Sequence, residues 1–149
     1  MAEEILLDEE DKHFITDYKF NISTSPNGNT RYALGYINGR TRLLHRLIMQ
    51  PPANMLIDHI NGNGLDNRKT NLRLANYSQN LANTGKHKNN KSSFKGVYWD
   101  KDKKKWRVTL SKNKKTIHIG VYVDKLEAAK AYDMAALKYH GEFARGNFF

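Results

Sequence analysis

The chain has 149 residues, room for one ordinary domain or two small ones, which excludes large α/β enzymes and barrels. Its 25 Lys and Arg against 15 Asp and Glu leave a net charge of +10, and a 39% hydrophobic, 11% aromatic composition is too apolar for a disordered polycation. Cysteine is absent, so disulfides, thiolate nucleophiles and Cys-ligated metal sites are ruled out.

Residues 1–17 hold seven acids and one base, a net −6, and 1–14 reads as an acidic N-terminal segment. The start, Met1-Ala2-Glu3-Glu4, is acidic where a secretory signal is basic, and no run approaches a membrane span, so a cytoplasmic location without a membrane partner is expected. From Phe14 to Arg46, short apolar or β-branched runs (Tyr18-Lys19-Phe20, then Arg31–Ile37) are broken by turn signals at Ser25-Pro26-Asn27-Gly28 and Asn38-Gly39, the latter a hairpin signal. Leu43–Met49 predicts a short helix stopped by Pro51-Pro52. Met55-Leu56-Ile57 predicts a strand that delivers Asp58-His59 into a loop rich in Asn and Gly, and Asp66 or Asn67 can cap a helix predicted over Asn71–Asn83.

Thr84–Ser93 is a polar linker, basic over 85–91, after which the pattern turns extended. Gly96–Trp99, Lys105–Ser111 and Lys115–Val121 predict three strands; Trp106, Val108 and Leu110 alternate with Arg107, Thr109 and Ser111, so one face is apolar. Lys125–Tyr139 predicts a helix ended by Gly141, with Ala128, Ala131 and Ala135 small enough for close approach to a sheet, and with Trp106 in the core opposite Tyr132. The fold class is therefore α+β, the second half a three-stranded antiparallel sheet packed on one α-helix.

The positive charge is concentrated: residues 86–115 hold twelve bases and two acids, a net +10. Charge runs are most often solvated faces. Here, however, bases alternate with Phe94, Tyr98, Trp99 and Trp106, a combination that favours a polyanion, with nucleic acid ahead of a membrane because no amphipathic helix carries these lysines. Trp99 and Trp106 could also stack on bases in a single-strand binder.

The densest set of chemical groups is Asp58-His59, Asn61, Asn63, Asp66, Asn67, Asn71, Asn80 and Asn83. Asp58 and the Asn80 amide offer hard oxygen donors suited to Mg²⁺ or Ca²⁺, and His59 can take a proton from a water that attacks a phosphodiester. On spacing alone, an Asn- and Asp-rich loop is more often turn geometry.

The ordered series Leu44-His45-Arg46-Leu47, Ile57-Asp58-His59-Ile60-Asn61-Gly62-Asn63, Leu65-Asp66-Asn67-Arg68, Asn71-Leu72-Arg73 and Asn80-Leu81-Ala82-Asn83 resembles the HNH endonucleases of phages and intron homing elements, over roughly residues 15–90. The resemblance implies a ββα-metal nuclease module over 15–84, two strands and a helix around one divalent ion. It implies His59 as general base, Asp58 and Asn80 as metal ligands, and Asn71 as the asparagine that fixes the loop and so orients His59. His45 is read as a structural histidine beside those groups, and Asn83, one helical turn after Asn80, as a support for them ahead of an additional metal ligand. Asn80 stands where many relatives carry His, which keeps an oxygen ligand; Mg²⁺ or Mn²⁺ is expected, and no zinc. Arg68 and Arg73 are read as phosphate contacts, with Lys69 and Arg46 as further choices; each is as readily a solvent-facing charge.

Residues 92–149 carry a second resemblance. Ser93–Asp100, Lys105-Trp106-Arg107, Ile119–Tyr122, Glu127–Asp133, Ala135-Ala136, Gly141 and Asn147-Phe148 look like the Apetala/ethylene-response-factor type of DNA-binding domain. That family lays its sheet in the DNA major groove with the helix behind. The positions that match its contacts are Lys95, Tyr98, Asp100, Arg107, Thr109, Ser111, Thr116 and His118. Lys101, Lys103, Lys105 and Lys114, with Lys104, Lys112 and Lys115, are read as phosphate contacts.

Together these readings give a metal-dependent endonuclease of the homing type that hydrolyses duplex DNA, with its sequence reader at the C-terminal end. A monomer with one active site, working by nicking in the cytoplasm (the host's, if phage-encoded), and without an obligate protein partner, is the expected state. Two other readings compete: a DNA-binding transcriptional regulator with an inactive nuclease module, and a basic RNA-binding protein. The presence of Asp58, His59, Asn71 and Asn80 argues against decay, and the order of the Asp-His-Asn motifs is unexplained by RNA binding.

Overall fold

Asn38 and Gly39 both take positive φ, 51° and 76°, the conformation that a two-residue hairpin turn of type I′ requires. They join strands β2 (Arg31–Ile37) and β3 (Arg40–Leu43), and β1 (Phe20–Thr24) completes an antiparallel sheet in the order β1-β2-β3. The computed structural model describes residues 3–26, 30–87 and 89–149, so the expected Ser25–Gly28 turn lies partly outside the described residues. Two compact units are formed, Met1–Asn76 and Tyr77–Phe149.

In the first unit, α1 (His13–Asp17) precedes the sheet and α2 (Leu44–Met49) follows it. Gln50, at φ 43°, ends α2 directly before Pro51-Pro52. The short strand β4 (Leu56–His59) then pairs antiparallel with β5 (Leu72–Ala75), in a register that sets His59 opposite Leu72 and Asp58 opposite Arg73. Among the described residues of this unit, Ala33, Ile37, Leu44, Ile57, Leu65, Leu72 and Ala75 are the buried apolar side chains.

Here the structure corrects the sequence reading. The single helix predicted over Asn71–Asn83 is divided into a 3-10 turn (Lys69–Asn71), strand β5 and a short helix α3 (Tyr77–Ala82). Leu72 and Leu74 stand two residues apart, the strand period, and main-chain pairing to β4 satisfies their amides where a lone helix would have left no partner for β4. Neither Asp66 nor Asn67 caps a helix: Asp66 bonds to Arg68 and Asn61, and the 3-10 turn begins after Arg68 without a side-chain cap.

The second unit follows the sequence closely. Strands β6 (Val97–Asp100), β7 (Lys105–Lys112) and β8 (Lys115–Tyr122) form an antiparallel sheet in that order, and α4 (Lys125–His140) packs against β7 and β8. Asp124 caps α4 by accepting from the Glu127 amide at 2.8 Å. Val97, Val108, Leu110, Ala128, Ala129, Tyr132, Ala135 and Ala136 are the core, with Trp106 partly buried against it, as its strand parity predicts. Buried Asp133 accepts from the amides of Asn147 (2.7 Å) and Phe148 (2.9 Å), and the Asn147 side chain accepts from the Lys95 amide at 2.6 Å; this clasp fastens the C-terminal residues to the start of the sheet.

Candidate functional site

Burying a polar group costs free energy unless it is hydrogen-bonded, so a concentration of buried polar side chains marks a built site. In the first unit Asp58, His59, Asp66, Asn67 and Asn71 are all buried within fourteen consecutive positions. The end of β4 delivers Asp58 and His59, and the loop that leads to β5 supplies the rest.

Asn71 ties the ends of that loop together. Its side chain accepts from the Asn61 amide at 3.0 Å and donates to the Asn61 side chain at 3.0 Å and to the Asp66 carbonyl at 2.8 Å. Asp66 in turn accepts from Asn61 at 2.9 Å and is held by Arg68 on both oxygens, at 2.8 and 2.7 Å, which keeps its carboxyl below the usual carboxylate range. The side chain bonded to His59 Nε2 is that of Asn67, whose Oδ1 lies at 3.4 Å.

His59 is 5% exposed, and burial lowers its pKa against the opposing effects of the Asn67 bond and of the Asp58 and Asp66 charges. The ring is therefore neutral near pH 7, the form that can accept a proton. His45, on α2, lies edge-on to it with ring centroids 5.0 Å apart, and Tyr32 of β2 approaches both rings, at 5.6 and 5.9 Å. Burial, with His59 and Arg46 nearby, pushes His45 down to about 3. Its Nδ1 is buried without a hydrogen-bond partner among the described residues, so its contact with His59 is ring against ring.

Asp58, 4% exposed, is paired with Arg73, whose Nε and Nη2 lie 2.8 and 2.7 Å from Oδ2. Of the arginines expected on phosphates, Arg73 is thus engaged inside the unit and Arg68 holds Asp66; Arg46 donates to the Met55 carbonyl at 3.2 Å. Asn80 stands half-buried on α3 and Asn83 buried just past its end, both in the second unit, while Asp58, His59 and Asn71 belong to the first. Among the described residues no three His, Asp or Glu side chains gather into a metal cage. Asp58 carries a carboxylate and Asn80 an amide oxygen, each a hard donor of the kind that suits Mg²⁺.

On the sheet of the second unit, Tyr98 pairs with Arg107, Thr109 with His118 and Ser111 with Thr116, which brings these six expected DNA contacts onto one face. Lys101, Lys103, Lys105 and Lys114 are exposed around it. Lys95 differs: its ammonium donates to the carbonyls of Ala82 (2.6 Å) and Arg145 (3.2 Å), and burial lowers it to about 8.

Two features escaped the sequence reading. Residues 18–57 contain five bases and no acid, and Tyr36, Arg40 and Arg42 of β2 and β3 are exposed; the acid-free run was the available signal. The other is the N-terminal segment, which pairs with the site loop through Leu6; its signal was the apolar triplet Ile5-Leu6-Leu7 among the acids.

Two known families match successive stretches of the chain. The HNH endonuclease profile matches residues 42–82 and the AP2 domain profile residues 92–142. Over 138 residues the chain is 32% identical to an uncharacterized HNH endonuclease of Acanthamoeba polyphaga mimivirus, covering 89% of this chain and 68% of that one. It is 37% identical over 94 residues to Protein 3.8 of Escherichia phage T7, covering 63% of this chain and 77% of that one. An AP2-like ethylene-responsive transcription factor of Arabidopsis thaliana is 43% identical over 55 residues, 37% of this chain and 18% of the plant protein. No solved structure matches. The chain belongs to the HNH endonuclease family, with an AP2 domain after the nuclease part, and is accordingly a nuclease with a DNA-binding domain. Among the described residues no helix is long and apolar enough to cross a membrane.

Proposed function

We propose that this protein is a metal-dependent endonuclease of the homing type that hydrolyses phosphodiester bonds in duplex DNA, the sequence being read by the β6-β7-β8 face. The observation that carries this reading is His59: a buried imidazole kept neutral next to a carboxylate, at the mouth of a loop closed by Asn71. A neutral histidine is the base that removes a proton from an attacking water, a contribution of typically 10²–10⁴-fold. Asp58 and Asn80 are the residues that would hold Mg²⁺ or Mn²⁺, a hard cation matched to their oxygens. When bound, the ion supplies charge stabilisation at the phosphate and the leaving 3′ oxygen. Asn71 keeps the loop closed behind the base, and His45 packs edge-on against its ring.

The reader holds DNA through Tyr98, Arg107, Thr109, Ser111, Thr116 and His118, with the surrounding lysines on phosphates. Lys95 is left out of this set, because an ammonium spent on two carbonyls is a structural bond. One site per chain suits a monomer that nicks, acting in the cytoplasm. The test is supercoiled plasmid incubated with the purified protein, with and without Mg²⁺. Nicked circles that appear only with the ion are expected; linear product would replace nicking by a double-strand cut, and untouched plasmid at all ion concentrations would favour the regulator reading.

A further inference from the structure

Asn67 is fully buried, and its orientation is set from both sides. Its Nδ2 donates to the Leu65 carbonyl at 3.1 Å; a carbonyl only accepts, so Oδ1 is the atom turned to His59 Nε2. An amide oxygen also only accepts. A neutral His59 in this contact therefore carries its proton on Nε2 and keeps its lone pair on Nδ1.

What holds Asn67 in turn lies about sixty residues away in the chain. The Asn67 amide donates to the Leu6 carbonyl at 2.8 Å and the Leu6 amide donates to the Leu65 carbonyl at 2.9 Å, so that Leu6 bridges in parallel to Asp66. The same segment is anchored a turn further on. Asp8 accepts from the Lys69 amide at 2.7 Å, and Glu10 and Asp11 pair with the Lys69 ammonium. Glu3, at the other end, pairs with Arg31. Asp8, Glu10 and Asp11 thus fasten to Lys69 a strap whose Leu6 lies along residues 65–67.

We propose that Asn67 is a positioning residue for His59, and that the N-terminal segment is part of the nuclease site because the Leu6 main chain holds Asn67 in place. This rests on the reading of His59 as the general base, and it assigns to residues 3–11 a task in catalysis that needs no contact with DNA. Removing the amide takes away the acceptor that faces Nε2; removing the strap loosens the main chain of residues 65–67 that carries this amide.

The test uses the full chain and two readouts. In metal-free protein at pH 7.5, long-range ¹H–¹⁵N spectra of His59 are expected to show the Nε2-protonated tautomer in wild type and a mixture in Asn67→Ala and in Leu6→Pro, which removes the Leu6 N–H. On plasmid DNA with Mg²⁺, both variants are expected to lose tenfold or more in kcat with KM within twofold of wild type. An Nδ1-protonated ring in wild type overturns the proposal and requires no variant to fold. So does a variant whose tautomer and kcat both match wild type. If instead the variants shift the tautomer while His59→Ala still cuts at the wild-type rate, Asn67 orients the ring as proposed, and it is the assignment of His59 as base that fails.

Discussion

His45 shows how a single buried side chain ties this fold to pH. In the unfolded chain it titrates near 6.5, and in the folded protein near 3, so between these values the unfolded state binds a proton that the folded state does not. Stability is then fully present above pH 6.5 and declines as pH falls below it, by about 1 kcal/mol per pH unit from this one group. Because Nδ1 has no hydrogen bond to lose, His45→Phe keeps the ring contacts with Tyr32 and His59 while removing the titration. Urea midpoints measured from pH 7 to pH 5 are expected to fall less steeply in His45→Phe than in wild type. Parallel slopes would show that the titration lies elsewhere.

At the level of elements, Gly96 is the position where the reader is least forgiving. It has φ of 73°, and a Cβ there would stand 2.1 Å from the Tyr132 ring and 2.6 Å from the Thr109 carbonyl, whose amide already donates to Gly96. Gly96→Ala combines left-handed backbone strain with overpacking in the core and is expected to cost about 3 kcal/mol, read as a lower thermal midpoint. A variant as stable as wild type would mean that β6 and α4 can part without loss. The elements differ in how far they could be read in advance. β2, β7, β8 and α4 emerge within a residue of their predicted bounds because their signals are local, as with Asn38-Gly39 after β2, the alternation of β7 and Gly141 after α4. β5 does not, since four residues with two leucines are too short to show a period, and their strand state is imposed by β4 across a loop. The same holds for the site. Asp58, His59 and Asn71 are legible as a motif, whereas the bonds from Asn67 to His59 and from Leu6 to Asn67 depend on contacts between distant residues that no local pattern announces.

For the whole molecule, the net +10 resolves into parts with different tasks. Part of the acidic start is engaged inside the first unit, Glu3 on Arg31 and Glu10 and Asp11 on Lys69. From the basic block, Lys101, Lys103, Lys105 and Lys114 stand exposed on the second unit, where counterion release should dominate affinity for DNA. The logarithm of the binding constant is expected to fall linearly with the logarithm of salt concentration, and each of Lys101, Lys103 and Lys105 changed to Ala should reduce that slope by about 0.9. Arg107→Ala, by contrast, should cost about 1–3 kcal/mol on the preferred sequence and much less on others. Slopes unchanged by removing the lysines would move the phosphate contacts to another surface, with exposed Arg40 and Arg42 the next to test.

The proposed division between an HNH part that cuts and an AP2 domain that reads is tested most directly by His59→Ala, assayed side by side for DNA binding and for Mg²⁺-dependent cutting of supercoiled plasmid. The variant should bind with wild-type affinity and salt dependence while its cutting rate falls by 10² or more. Cutting that persists at the wild-type rate with binding intact would contradict the account at its centre.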